Sequence, residues 1–238
     1  MKRSPSARAL SIALLGCLAA GHKSGPAGFL KPDAIDVAAL LPDPPAPGSP
    51  EARAEIDALL AIQQSRTPED VARAKAEEKF DVFAFADAVG PWFTADRCPL
   101  TADLFKSVAA DAKVFANVGK KHWNRRRPPY VDDRVKPAVT LEDEGSYPSS
   151  HGTRGQLYAE LLSAVLPADR HDALMARGRQ IGFDRLIGGV HYPSDVYAGR
   201  TLGHALADRL LADADFRARL DAVKAELAQQ GKVATATP

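Results

Sequence analysis

The sequence predicts an all-α protein that folds as a single helical-bundle domain. Several segments repeat apolar residues at three- and four-residue spacing, which is typical of a buried helix face. Ser-Pro and Thr-Pro pairs mark helix starts, and no segment shows the convincing alternation of apolar and polar residues that indicates a strand. With 238 residues, 45% of them hydrophobic, the chain is long enough to bury one sizeable core.

Residues 1–20, MKRSPSARALSIALLGCLAA, are typical of a secretory signal peptide. A basic start precedes an apolar run that is too short to cross a bilayer as a helix. We expect cleavage after a small residue near Ala20, and lipid attachment at Cys17 of LLGC stays open as an alternative. The protein is therefore expected in the periplasm or secreted, or else anchored at the envelope as a lipoprotein.

Composition excludes several classes of partner. The formal charge of +1 gives no basic field for nucleic acid, so anion binding requires a local cluster. No later apolar run approaches a membrane span. Cys98 has no partner once Cys17 is removed or lipidated, so we expect no internal disulfide.

The elements follow in order along the chain. Residues 21–50 form a Pro- and Gly-rich arm that ends in LLPDPPAPGSP, and a helical domain covers residues 51–230. Its helices are predicted in SPEARAEIDALLAIQQS, TPEDVARAKAEEKF, TADLFKSVAADAKVFANVGKKHW, RGQLYAELLSAVL, ADRHDALMARGRQIGFDRLI, SDVYAGRTLGHALADRLL and DADFRARLDAVKAELAQQ. Residues 231–238 are predicted to be a flexible tail.

Three short segments carry residues suited to phosphate chemistry. KKHWNRRRP, at 120–128, puts five cations into eight residues, although a basic last helical turn is the ordinary explanation for such a run. YPSSH, at 147–151, places Ser and His before a helix, within a loop long enough to indicate function. In DRLIGGVHYPSD, at 184–195, Asp195 can reach back to one ring nitrogen of His191 and fix its tautomer.

Together these segments predict one phosphate site. Lys120, Arg127 and Arg185 would supply fixed positive charge. Ser149 and the amides that follow it would supply neutral donors, and the two histidines a proton donor and a nucleophile. No His-x-x-x-His pair, carboxylate-rich cluster near these histidines or Cys pair indicates a metal site, so we expect neither metal nor cofactor.

The three segments, in this order, resemble the signature of the type 2 phosphatidic acid phosphatase superfamily. They read Lys120, six residues, Arg127-Pro128; Pro148-Ser149-Ser150-His151; and Arg185, five residues, His191, three residues, Asp195. That superfamily includes bacterial acid phosphatases, lipid phosphatases and vanadium haloperoxidases. LLPDPPAPGS, GSYPSSHGT and HYPSDVYAGR are further similar to secreted class A non-specific acid phosphatases. The resemblance covers roughly residues 29–230 and implies a core like that of vanadium chloroperoxidase.

The resemblance also implies a reaction: metal-independent hydrolysis of small phosphate monoesters, nucleotides among them, through a phosphohistidine. His191 would attack phosphorus, Asp195 would orient it, and His151 would protonate the leaving oxygen and then activate water. The implied ligands of the phosphate oxygens are Lys120, Arg127, Ser149, the amide of Ser150, and Arg185. With an ordinary histidine pKa of about 6.5 at His151, activity would be highest at mildly acidic to neutral pH.

Two positions depart from the family pattern. Ser150 stands where Gly is usual and adds a side chain, and Asp184 stands where Ser is usual. A carboxylate there would oppose phosphate unless it points away or pairs with a cation. The alternatives are a vanadate-dependent haloperoxidase, a lipid phosphatase and a non-catalytic phosphate-binding envelope protein. Phosphate transfer to alcohols and a homo-oligomer, the latter by analogy, stay open.

Overall fold

A computed structural model describes residues 28–236 of the protein. Helices dominate this range, and no strand occurs within it. The nine α-helices of residues 28–236 are α1 Val37–Leu40, α2 Pro50–Ser65, α3 Pro68–Ala76, α4 Ala86–Val89, α5 Pro99–Trp123, α6 Ser150–Val165, α7 His171–Ile187, α8 Pro193–Ala212 and α9 Ala214–Ala236. Short 3₁₀ turns lie at Val82–Phe85, Pro128–Tyr130 and Ala168–Arg170. The prediction of an all-α fold is confirmed.

Helix starts follow the local chemistry of the sequence. At α2 the Ser49 hydroxyl accepts a hydrogen bond from the amide of Ala52 at 3.1 Å, with Pro50 in the first position. At α3 Thr67 and Asp70 cap each other's backbone amides. These contacts satisfy amides that have no partner within a helix, so both helices begin where the sequence predicts.

The N-terminal arm lies against the bundle over its described residues, from 28 onward. Asp111 of α5 accepts hydrogen bonds from the amides of Phe29 and Leu30 at 2.9 and 3.2 Å. Trp123, at the end of α5, donates its indole N–H to Asp43 at 2.7 Å. The arm is thus fixed along α5, and it contains the one-turn helix α1.

Helix α6 forms the centre of the core and packs against both α7 and α8. Its Leu157, Leu161 and Leu162 are fully buried. A Cβ atom on Gly155 would lie 2.6 Å from the carbonyl oxygen of Gly178 in α7, and one on Gly199 of α8 would lie 2.5 Å from that of Ser149. Without side chains at these positions the helix backbones can touch, which brings the first turns of α6 and α8 together.

Helix α9 packs on α5 and α8 and continues to Ala236. Residues 231–236 of the predicted tail are therefore helical, and residues 237–238 lie outside the described range. Gly231 faces Trp92, since a Cβ atom there would lie 3.6 Å from the indole ring. This packing extends a helix that local sequence alone would end earlier. Cys98 is buried with a free thiol.

Within residues 28–236, no helix is both long and apolar enough to traverse a lipid bilayer.

Candidate active site

Helix α5, the first turn of α6 and the loop before α8 line one cavity. The cavity has a volume of about 460 Å³, and its wall includes Lys120, Ser150, His151 and His191. The amide of Ser149 donates to the carbonyl oxygen of Asp195 at 2.9 Å and so joins the N-terminal ends of α6 and α8. Residues from three distant segments thus line one cavity, whereas the predicted ligands Ser149, Arg127 and Arg185 are buried outside its lining.

His191 is fixed by Asp195. Its Nδ1 lies 3.2 Å from Asp195 Oδ2, an oxygen that also accepts from the amide of Tyr192 at 2.9 Å. The carboxylate requires a donor, so the proton of the neutral ring is on Nδ1 and the lone pair is on Nε2. Burial lowers the pKa of His191 to about 4, and Arg127 adds to this although Asp195 opposes it. The ring is therefore uncharged above that pH, as a nucleophile must be.

Arg127 is buried, and each of its three guanidinium nitrogens donates a hydrogen bond. Its NH1 donates to the carbonyl oxygen of Val190 and lies against Nε2 of His191, both at 3.0 Å. Its Nε donates to the carbonyl oxygen of Glu144 at 3.1 Å, and its NH2 to the carboxylate of Glu142 at 2.6 Å. Lys120 donates to the carboxylate of Glu144 at 2.7 Å. Two predicted phosphate ligands therefore already carry anionic partners.

Arg185 differs from these two cations. Its side chain is only 3% exposed, and its Nε and NH1 have no hydrogen-bond partner within the part of the chain that the structure describes. Burial lowers its pKa to about 10, which leaves it charged near neutral pH. Leaving buried guanidinium donors unpaired is costly, and an anion in the cavity would relieve this cost.

The start of α6 supplies neutral donors. Ser149 is fully buried, and its hydroxyl accepts from the amide of Gly152 at 3.2 Å, which leaves the O–H free to donate elsewhere. The amides of Ser150 and His151 lie in the first turn, where no intrahelical acceptor exists. Such a helix start favours an anion.

The backbone conformation at Ser150 does not require glycine. Among the described non-glycine residues, positive φ occurs at Asn124 alone, so Ser150 adopts ordinary helical backbone angles. Its side chain lines the cavity. The departure from Gly therefore adds a hydroxymethyl group to the wall without strain in the backbone.

His151 is buried, and its Nε2 lies 3.0 Å from the carbonyl oxygen of Glu77. That carbonyl accepts a hydrogen bond from the N–H at Nε2, so Nδ1 is the nitrogen left for proton exchange. Burial lowers the pKa of His151 well below its ordinary value, and the charges of Arg185 and Arg154 lower it further. The expectation of an unshifted pKa near 6.5 is therefore wrong for the empty site, because the sequence does not reveal this burial.

Sequence reasoning missed two residues behind His191. Arg125 donates to Asp195 Oδ1 at 2.6 Å and to Glu55 Oε2 at 2.6 Å, and it lies 3.8 Å above the ring of Tyr192. Glu55 of α2 also accepts from the amide of Ser194 at 2.7 Å. The chain Glu55–Arg125–Asp195–His191 thus fixes the ring of His191.

The sequence offered only weak signals for these two residues. Arg125 is one of five cations in KKHWNRRRP, and nothing local separates it from its exposed neighbour Arg126. Glu55 precedes the buried Leu59 by one helical turn, which places it beside the apolar face of α2.

Asp184 points away from the phosphate ligands. Its two oxygens accept from Nε and NH2 of Arg73, both at 2.9 Å, and Oδ1 also accepts from Gln180 at 2.9 Å. From the sequence, this carboxylate is expected to oppose phosphate unless it points away or pairs with a cation. Asp184 is paired with Arg73. Asp184 instead ties α7 to α3.

We expect Asp184→Ser, which restores the residue usual in the family, to reduce stability while leaving KM within about two-fold of its value. Asp184 is 1% exposed and loses hydrogen bonds to a charged partner, which costs about 1–3 kcal/mol. Urea unfolding and steady-state kinetics measure the two effects. A large change in KM at unchanged stability would contradict this assignment.

Comparison with known proteins identifies the family of this chain. A profile of the PAP2 superfamily matches residues 101–217. The chain is 31% identical to the non-specific acid phosphatase of Salmonella typhimurium, across 79% of this chain and 78% of that protein. It is 30% identical to the non-specific acid phosphatase of Providencia stuartii, across 84% of each.

Two further similarities are more limited. An acid phosphatase of Zymomonas mobilis is 32% identical over 160 residues, which is 65% of this chain, and the chain spans 59% of that protein's length. The solved structure of a bacterial vanadium-dependent iodoperoxidase superposes with a TM-score of 0.59, covering 75% of this chain and 52% of that one. At 16% identity this likeness shows the fold alone. The predictions of fold and superfamily are confirmed: the chain belongs to the PAP2 superfamily and is related to its non-specific acid phosphatases.

Proposed function

We propose that the protein is an acid phosphatase that hydrolyses phosphate monoesters through a phosphohistidine at His191, without a metal ion. The observation that carries the proposal is the unpaired, buried guanidinium of Arg185 beside a neutral histidine whose Nε2 carries the lone pair. The names of the relatives support the general activity.

Binding comes first. The phosphoryl oxygens of the substrate would contact Arg185, Arg127 and Lys120, with the hydroxyl of Ser149 and the first-turn amides of α6 as neutral donors. Phosphoryl transfer requires mainly positioning and charge stabilisation, and these groups provide both in a buried setting. Arg127 would exchange its contact with His191 for a phosphoryl oxygen, which frees the nucleophilic nitrogen.

Two displacements would follow. Nε2 of His191 donates its lone pair to phosphorus as the bond from phosphorus to the leaving oxygen breaks, and His151 gives that oxygen a proton. Asp195 stabilises the resulting positive charge on the ring. Water then attacks phosphorus, His151 accepts a proton from that water, and the phosphorus–nitrogen bond breaks to restore His191.

The proton on His151 would arrive with the substrate. Burial, with the charges of Arg185 and Arg154, lowers the pKa of His151 and so opposes its protonation. A bound phosphate offsets the charge of Arg185 and thereby raises the pKa of His151. Because the proton must be present for departure of the alcohol, the rate should fall as pH rises through the pKa of His151 in the complex.

The direct test measures phosphate release from a chromogenic phosphomonoester by the purified full chain, with and without EDTA. We expect equal rates in both. Loss of activity with EDTA, restored by a divalent cation, would contradict metal independence, and no release under either condition would contradict the phosphatase assignment.

We predict that His151→Asn slows hydrolysis of an alkyl phosphate about 10²–10⁴-fold, the usual contribution of a general acid. The loss in kcat/KM, which does not include the later attack of water, should be much smaller with nitrophenyl phosphate, because nitrophenolate leaves without a proton. Ser150→Gly serves as the control, since it alters the same wall and should affect both substrates equally. Equal losses in His151→Asn would argue against the acid role.

Secretion is part of the proposal and rests on residues 1–20, which lie outside the described range, as does the alternative lipid site at Cys17. The mass of the mature N-terminus would distinguish cleavage near Ala20 from a lipidated cysteine. Small phosphomonoesters are the proposed substrates, with nucleotides and transfer to alcohols to be tested in a substrate panel. A homo-oligomer is proposed by analogy only.

A further inference from the structure

The loop that precedes α6 places three consecutive acidic residues, Glu142, Asp143 and Glu144, beside the cavity; we call these the acidic triplet. Glu142 Oε2 lies 2.6 Å from NH2 of Arg127, and Glu144 Oε2 lies 2.7 Å from Nζ of Lys120. Both carboxylates also line the cavity itself. Two of the three proposed phosphate ligands are therefore paired with carboxylates of the triplet.

These two carboxylates are free to leave. Glu142 and Glu144 have side chains that are 49% and 63% exposed, whereas those of their partners Arg127 and Lys120 are only 1% and 9% exposed. A rotation of either glutamate carries its charge into solvent, where it is screened. The buried cations cannot follow.

The loop backbone would not need to move. The carbonyl oxygen of Glu144 accepts from Nε of Arg127 at 3.1 Å, and the amide of Ser146 donates to the carbonyl oxygen of Arg125 at 2.9 Å. These bonds anchor the loop independently of the two side chains. Exchange of a carboxylate for a phosphoryl oxygen thus requires side-chain rotation only.

We propose that Glu142 and Glu144 are internal competitors of phosphate: they occupy Arg127 and Lys120 when the cavity is empty and are displaced by the phosphoryl group. The inference rests on the proposed phosphate site. Arg185, by contrast, has no carboxylate partner among the described residues, so no side chain there competes with an anion for its donors. The two glutamates weaken the binding of substrate and of product phosphate, so they set KM and limit product inhibition.

The competition persists under mildly acidic conditions. The hydrogen bond and the charge of Lys120 hold the pKa of Glu144 below its ordinary value. Its carboxylate therefore stays ionised when the solution is moderately acidic, and acid does not relieve the competition at this position. A charge-removing substitution does.

The test uses inorganic phosphate as the probe and calorimetry on the full chain. Glu142→Gln and Glu144→Gln keep the shape of the side chain while removing its charge. Each should lower the phosphate dissociation constant about five-fold, the effect of removing one partly exposed ion pair from competition. The inhibition constant for phosphate in the hydrolysis assay should fall by the same factor.

Asp143→Asn is the matched control. It removes the same charge from the same loop, but Asp143 accepts a hydrogen bond from the hydroxyl of Tyr130 at 2.7 Å and forms no ion pair with the three cations among the described residues. Its phosphate affinity should change less than two-fold. If phosphate binding became about five-fold tighter in Asp143→Asn as well, the effect would come from the net charge of the loop, and the proposal would be overturned.

Unchanged or weaker phosphate binding in Glu142→Gln and Glu144→Gln, with melting temperatures that show intact folds, would also overturn it. That result would mean that the carboxylates position the cations. Calorimetry needs no turnover, so failure of the proposed function can be distinguished from failure of this inference. Tighter phosphate binding in the variants without hydrolysis by the protein contradicts the proposed function alone. Hydrolysis with unaltered phosphate affinity in both variants contradicts this inference alone.

Discussion

Replacing His191 with alanine is expected to reduce kcat about 10⁴-fold or more, because in the proposed mechanism this removes the atom that would form the bond to phosphorus. Nothing else in the described cavity wall offers an equivalent nitrogen. His151 is turned toward the carbonyl oxygen of Glu77 through its Nε2, and its remaining nitrogen is needed for the proton. Steady-state hydrolysis of a chromogenic phosphomonoester measures the loss.

The same variant tests the intermediate. Brief reaction with substrate labelled in its phosphoryl group, followed by a quench that preserves phosphohistidine, should leave label on the protein and none on His191→Ala. The fold should survive, because Asp195 keeps its contacts with Arg125 and the amide of Tyr192.

His204→Ala is the matched histidine control. His204 lies on α8, like Asp195, but its side chain is 62% exposed and contacts Glu160. We expect its activity and labelling to equal those of the unchanged chain. Retention of label or of full turnover in His191→Ala would refute the phosphohistidine mechanism.

Arg125→Met should give a loss of about 3–5 kcal/mol in the free energy of unfolding, the usual cost of breaking a buried ion pair from one side. Asp195 is fully buried and would keep its charge without its arginine partner. Glu55 would lose its ion-pair partner as well. Urea unfolding followed by circular dichroism measures the change. Arg126→Met is the control: Arg126 is exposed and lies 5.9 Å from the ring of Tyr130, so its loss should cost little.

Kinetics show whether Arg125 positions the nucleophile in addition to stabilising the fold. Its charge offsets that of Asp195, and without it the carboxylate would raise the pKa of His191 above about 4. His191 would then begin to protonate at higher pH. The acidic limb of the kcat/KM profile should therefore shift to higher pH, and kcat should fall. An unshifted limb would leave Arg125 with a structural role only.

Several local features could be predicted from the sequence because their causes are local. Ser49 and Thr67 start helices through hydrogen bonds to amides three residues away, and His191 meets Asp195 across one turn. The order and spacing of the three segments pointed to the superfamily. By contrast, the sequence does not predict that α9 continues through residues 231–236.

The sequence by itself determined the fold class, the superfamily and the set of candidate site residues, because helix periodicity, caps and motif spacing are properties of neighbouring residues. Only the tertiary structure decided how these residues are charged and paired. Asp184 is paired with Arg73 on α3, His151 loses its ordinary pKa through burial, and Arg185 alone of the three cations has unpaired donors within the described chain. Burial and long-range ion pairs arise between segments far apart in the chain, so they come into existence only when the helices pack.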